Sequence, residues 1–187
     1  MTSQLRPALT LFLLLTLLTG VFYPLPVTAI AQAIFPAQAN GSFITVDGRT
    51  LGSELIAQPF DAPRYFWSRP SAAGYDASAS SGSNLGTNNP ALLEAVQERI
   101  AALQAADPKN NTPIPADLVT ASASGLDPHI SVEAALYQVA RVAQARGLDE
   151  AAVKALVAQS TEGRQFGFLG QPRVNVLKLN LALDGLQ

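Results

Sequence analysis

The stretch Leu9-Thr10-Leu11-Phe12-Leu13-Leu14-Leu15-Thr16-Leu17-Leu18 lies inside an apolar run from Pro7 to Phe35 that decides how the chain is organised. A bilayer core takes roughly 20 apolar residues in a helix rising about 1.5 Å per residue. The run exceeds that and can cross with some tilt. No Asp, Glu, Lys, Arg or His occurs between Arg6 and Asp47. Pro7 falls where a first-turn proline is tolerated, whereas Pro24 and Pro26 are expected to kink or loosen the helix near its far end. Phe22 and Tyr23 suit an interfacial position. A cleaved signal peptide is the competing reading, because Thr28-Ala29-Ile30-Ala31-Gln32-Ala33 carries a small-x-small pattern. The apolar stretch nevertheless continues through Ile34 and Phe35, past the roughly 7–15 residues of a signal core. A buried soluble helix is the third reading. Residues 1–36 are taken as a membrane anchor and 37–187 as an extramembrane domain. Arg6, the one charge ahead of the segment, predicts a cytoplasmic N-terminus and a domain on the outer side.

Composition narrows the classes. Of 187 residues only 14% are charged, against about 25% in an average soluble domain. Hydrophobic residues make up 48% and the mean hydropathy is +0.19. These values argue against a disordered polar chain. The balance of 12 basic and 14 acidic residues leaves no cationic surplus for a nucleic-acid backbone. Cysteine is absent, so disulfides, thiolate metal sites and Cys nucleophiles are excluded.

Beyond the anchor, Ser42 to Val46 reads as a strand and Asp47-Gly48 as a turn. The stretch Asp61 to Tyr75, with Tyr65, Phe66, Trp67 and Pro70, looks irregular but packed. Ala77 to Asn89 is nearly all Ser, Gly, Asn, Ala and Thr, which marks a loop. Asn89 offers an N-cap with Pro90 at the first helical position. Leu92, Leu93, Val96, Ile100 and Leu103 then follow at helical spacing, predicting an amphipathic helix that ends near Asp107-Pro108. Ser131 caps a second helix closed by Gly147, and Asp149 a third carrying Val153, Leu156 and Val157. The last segment, Val174 to Leu183, alternates as a strand whose phase changes between Val176 and Leu177. The fold class predicted is a single N-terminal transmembrane helix followed by one α/β (α+β) domain.

Candidate chemistry is sparse. A membrane-tethered hydrolase would recruit His129 in Asp127-Pro128-His129 with Ser122 or Ser124, but no nucleophile elbow is present. One His and no Cys leave scattered carboxylates without metal-ligand spacing, so no metal is expected. The loop Ser78 to Gly86 reads either as a flexible connection or as a contact for a partner or an anion, since small residues let N–H groups converge. It lacks the lysine and spacing of a P-loop. Arg69, beside Trp67 and Ser71, suits a partner carboxylate, a stack on Trp67 or a structural ion pair. A released, periplasmic binding module remains the alternative if the anchor is cleaved.

Four motifs carry a resemblance. They are Tyr65-Phe66-Trp67-Ser68-Arg69-Pro70-Ser71-Ala72, the loop Ser80 to Leu85 before Asn89-Pro90, Leu118 to Asp127, and the ending Gly170 to Asp184. Together they resemble the KdpC family, the C subunit of the bacterial Kdp potassium-transporting ATPase, from the anchor to the C-terminus. The resemblance implies an inner-membrane complex in which an A subunit conducts potassium, a P-type B subunit hydrolyses ATP and a small F subunit stabilises the assembly. It implies that the C subunit has no hydrolytic chemistry and is needed for assembly. It further implies a catalytic chaperone that raises the B subunit's ATP affinity, with no cofactor of its own. The family's Ser/Gly loop, likened to the nucleotide-contacting signature of ABC transporters, makes Ser80, Ser81, Gly82, Ser83, Asn84 and Leu85 the candidate partner- or nucleotide-contact loop. Ser81 stands where the family more often has glycine, which takes positive φ more freely. Arg69, Ser71, Asp127 and His129 are the candidate partner contacts. With the domain outside, an effect on ATP affinity is a coupling carried through partner subunits.

Overall fold

A leucine-rich sequence whose one charge is Arg6 forms the first helix with no side-chain hydrogen bond at its N-cap. In the computed structural model, which describes residues 2–186, α1 spans Leu5–Leu17 and α2 spans Pro24–Ile34. Between them Leu18–Phe22 forms a π turn, with the Tyr23 N–H donating to the Leu18 carbonyl. Pro24 explains it: a proline ring crowds the carbonyl four residues back and brings no N–H. Widening the ladder by one residue absorbs that conflict. The expected disturbance therefore falls ahead of the prolines, and the helix runs on to Ile34, which places Phe22 and Tyr23 past its midpoint. The whole span Leu5–Ile34 has 30 residues and mean hydropathy 2.0. It is the one helix among the described residues long and apolar enough to cross a membrane.

Pro36 starts a short α3 (Pro36–Ala39), and the hairpin β1 (Phe43–Val46) with β2 (Arg49–Ser53) follows. Asp47 at φ 51° and Gly48 at φ 75° are both left-handed, the conformation a two-residue hairpin turn demands. The chain divides after this hairpin into two units, one ending at Ser53 and the other beginning at Glu54.

In the second unit, α4 spans Pro90–Ala106, and the Asn89 side chain accepts the Ala91 N–H as its cap. Leu103 is its one buried residue and Leu93 is 57% exposed, so this helix packs through a narrow stripe. Ser131 caps α5 (Val132–Arg146), which stops at Gly147 with φ 66°; Asp149 caps α6 (Glu150–Gln159). The chain from Val174 on corrects the sequence expectation. Only Arg173–Asn175 is a strand, and Val176–Asp184 is a helix, α7. Asn175 caps it by accepting the Lys178 N–H at 3.1 Å. The apparent phase change is this switch from period 2 to period 3.6: Val176, Leu179 and Leu183 are buried on one helical face.

A small antiparallel sheet has the order β3 (His129–Ser131), β5 (Arg173–Asn175), β4 (Thr161–Glu162). Ile130 and Thr161 both lie opposite Val174. That face packs with Ala134, Val142, Val153, Val157 and Leu179 into the core, where Phe66 is fully buried. The other face carries His129, Ser131, Glu162 and Arg173.

Candidate functional site

At Phe66 and Trp67 the chain has no strand partner, and side chains hold its backbone. Asn180 of α7 accepts the Phe66 N–H at 2.9 Å and donates to the Phe66 carbonyl at 3.0 Å. Gln138 of α5 does the same for Trp67, accepting at 2.7 Å and donating at 3.3 Å. Two primary amides thus replace a β ladder, which buried peptide groups require. Arg141 completes the frame. Its guanidinium donates to the Pro63 and Tyr65 carbonyls and to Gln138 Oε1 at 2.6 Å, and lies 4.5 Å over the Trp67 ring. Burial pulls its pKa down to about 10, opposed by the nearby Asp107 and Tyr137; it remains charged at neutral pH. The cation stacked on Trp67 is therefore Arg141, not Arg69.

This frame aims Arg69 into an open groove of ≈ 780 Å³ that Asp127, His129, Asp117, Ile114 and Arg173 also line. The charges there form a chain across the polar face of the sheet. Arg69 meets Asp127 at 3.2 Å, and the His129 Nδ1 lies 3.3 Å from the other Asp127 oxygen. His129 Nε2 is 3.9 Å from Glu162, which pairs with Arg173 at 3.0 Å. Register explains the last contact, because Glu162 and Arg173 face each other across the sheet. Burial acts to raise the Asp127 pKa. Hydrogen bonds from the His129 side chain and N–H, with the charges of His129 and Arg69, outweigh it and hold the carboxyl below its usual range.

Ser71 is a structural knot. Its hydroxyl donates to the Gly125 carbonyl at 2.6 Å and accepts the N–H groups of Ala73 and Tyr75. The Ser/Gly loop joins at its near end: the Ser80 hydroxyl donates to the Ser124 carbonyl at 3.1 Å. A Cβ at Gly82 would meet the Ala123 carbonyl at 2.8 Å, and one at Gly125 would meet that of Ser81 at 2.6 Å. Glycine is required at both positions by this close backbone approach. Ser81 is not left-handed; among the loop's non-glycine residues that conformation belongs to Asn84, at φ 52°, a residue type that tolerates it.

Sequence reasoning thus selected positions that the fold brings together. Arg69, Asp127 and His129 meet in the ion-pair chain, and Ser71, Ser80, Ser81 and Gly82 meet the Ser122 to Gly125 turn, while Ser83, Asn84 and Leu85 run on toward α4. It missed Glu162 and Arg173, which only the sheet register supplies, and Gln138, Arg141 and Asn180. The last three carried a signal, being polar at core-facing helical spacing. For a serine hydrolase the geometry is unfavourable. Ser122 is buried and Ser124 accepts the Leu126 N–H; among the described residues neither hydroxyl bonds to His129. Among them too, no group of three His, Asp or Glu is placed to hold a metal. From 79 to 86 the loop has neither helix nor strand, and the Asn84 side chain donates to the Gly82 carbonyl at 3.2 Å.

One helix long and apolar enough to cross a membrane, followed by a small mixed helix-and-sheet domain that carries an ion-pair chain, defines the class. The chain belongs to the KdpC family, whose model, described as K+-transporting ATPase, c chain, matches residues 5–185. Proteins named potassium-transporting ATPase KdpC subunit are similar along their lengths. That of Methylibium petroleiphilum is 65% identical over 99% of this chain and 98% of its own. That of Methylococcus capsulatus is 63% identical over the whole of both chains. The protein from Sorangium cellulosum is 63% identical over 99% of each.

Proposed function

We propose that this chain is the C subunit of an ATP-driven potassium-uptake complex, an accessory without catalysis of its own. In this reading it joins the channel-like A subunit, the P-type B subunit and the small F subunit in the bacterial inner membrane. The observation that carries it is the family match from residue 5 to 185, which takes in the apolar helix as well as the domain. Inclusion of the helix supports a retained anchor over a released module. Arg69, Asp127, His129, Glu162 and Arg173 pair with one another, which supports a binding or assembly role over turnover.

With Arg6 cytoplasmic the domain lies outside, away from cytoplasmic ATP. The chain then raises the B subunit's ATP affinity only through a coupling free energy transmitted by the assembly, and ATP binds the partner. Deleting this chain from a strain that depends on the complex should abolish growth at micromolar potassium, and the detergent-solubilised A and B subunits should no longer co-purify. External protease on spheroplasts should degrade the domain before lysis; full protection until lysis would place it inside and refute the indirect coupling.

A further inference from the structure

Between β4 and β5 the chain makes a narrow loop, Arg164 to Gly170, that exposes two phenylalanines and a leucine side by side. Phe166 is 86% exposed, Phe168 69% and Leu169 46%. Its backbone is nonetheless fixed: Gln165 and Leu169 exchange N–H to carbonyl bonds at 3.0 and 2.9 Å, and the Phe168 N–H reaches the Gln165 carbonyl at 3.2 Å. Phe166 sits at φ +53°, a conformation that is a strained outlier for a bulky side chain. Beside it, Arg164 bonds to the neutral Gln171 and meets no carboxylate among the described residues. The opposite side of the loop base has Arg173 already paired with Glu162.

We infer that Phe166, Phe168 and Leu169 form a preorganised knob that seats in an apolar pocket with an acidic rim on another protein subunit of the complex. The inference rests on the assembly role proposed above. A pocket of fixed shape repays a strained, rigid tip, because ordering costs are met before contact; a fluid lipid surface gives no such return. Aromatic side chains with an arginine beside them are the residues that dominate interface energetics. The unpaired Arg164 supplies the charge that an acidic rim complements.

The full chain, co-expressed with its partner subunits, tests this. Phe166→Gly relieves the positive φ, so its melting temperature should not fall, yet dissociation from the solubilised complex should speed up about tenfold or more. Adding Phe168→Ala should deepen the loss. Arg164→Glu should weaken retention and Arg164→Lys preserve it. Photolysis of a Phe168→p-benzoylphenylalanine variant should join the chain to a partner subunit. Adducts only with lipid, only with a second copy, or none would overturn the inference, as would unchanged retention of the Phe166→Gly/Phe168→Ala variant. If deleting the whole chain leaves the complex intact, the assembly role itself fails; if deletion disrupts it while the knob variants behave normally, only the knob fails.

Discussion

Single residues decide how the loops meet. Gly125 combines φ +69° with a backbone approach that leaves no room for a methyl group, whereas Gly74, at φ +61°, has open space around its Cβ position. Gly125→Ala should therefore cost about 2–4 kcal/mol, adding a clash to the strain, and Gly74→Ala only about 1 kcal/mol. Urea unfolding of the two variants checks the order. Asp127 predicts a pH dependence of definite sign. Its folded pKa lies below the unfolded one, so its contribution is complete above the ordinary carboxylate range and is lost as pH falls through the folded value. The melting temperature gap between the wild type and Asp127→Asn should shrink as the pH drops from about 6 toward 3. A gap that widens on acidification would contradict the ion-pair chain. Caps were legible at this scale, because Asn89, Ser131, Asp149 and Gly147 act on backbone groups within a few residues.

At the scale of elements, α5 and α7 do more than fill the core. Each sends one amide to the unpaired segment at Phe66 and Trp67, so substituting it strands buried peptide groups. Asn180→Leu should destabilise the domain by about 2–4 kcal/mol, since both the N–H and the carbonyl of the fully buried Phe66 lose their partner. Gln138 and Arg141 touch each other at 2.6 Å. Their substitutions to Leu and Met should consequently be non-additive, with a coupling of about 0.5–3 kcal/mol in a double-mutant cycle. The misreading of α7 as a strand has its cause here. Leu177, Leu179, Leu181 and Leu183 alternate as a strand would, and only the Asn175 cap, together with the room the core offers a helix, selects period 3.6.

For the molecule as a whole, the apolar span predicts attachment to a membrane. Leu13→Arg with Leu17→Arg should cost about 5–7 kcal/mol of insertion, and the chain should move from the carbonate-resistant membrane pellet to the supernatant. The sequence by itself determined the long apolar span, the caps of α4, α5 and α6 and the membership of a family, because hydropathy, capping and motif order are properties of neighbouring residues. Only the tertiary structure decided which polar side chains are frame and which are free. Arg141 and Arg164 are the same residue type in one chain. One is buried over Trp67 and bonded to the Pro63 and Tyr65 carbonyls and to Gln138; the other bonds to the neutral Gln171 on a loop with two exposed phenylalanines. That difference arises from contacts between segments far apart in the chain, where burial makes an unmet hydrogen bond costly and so fixes which partner each group must find.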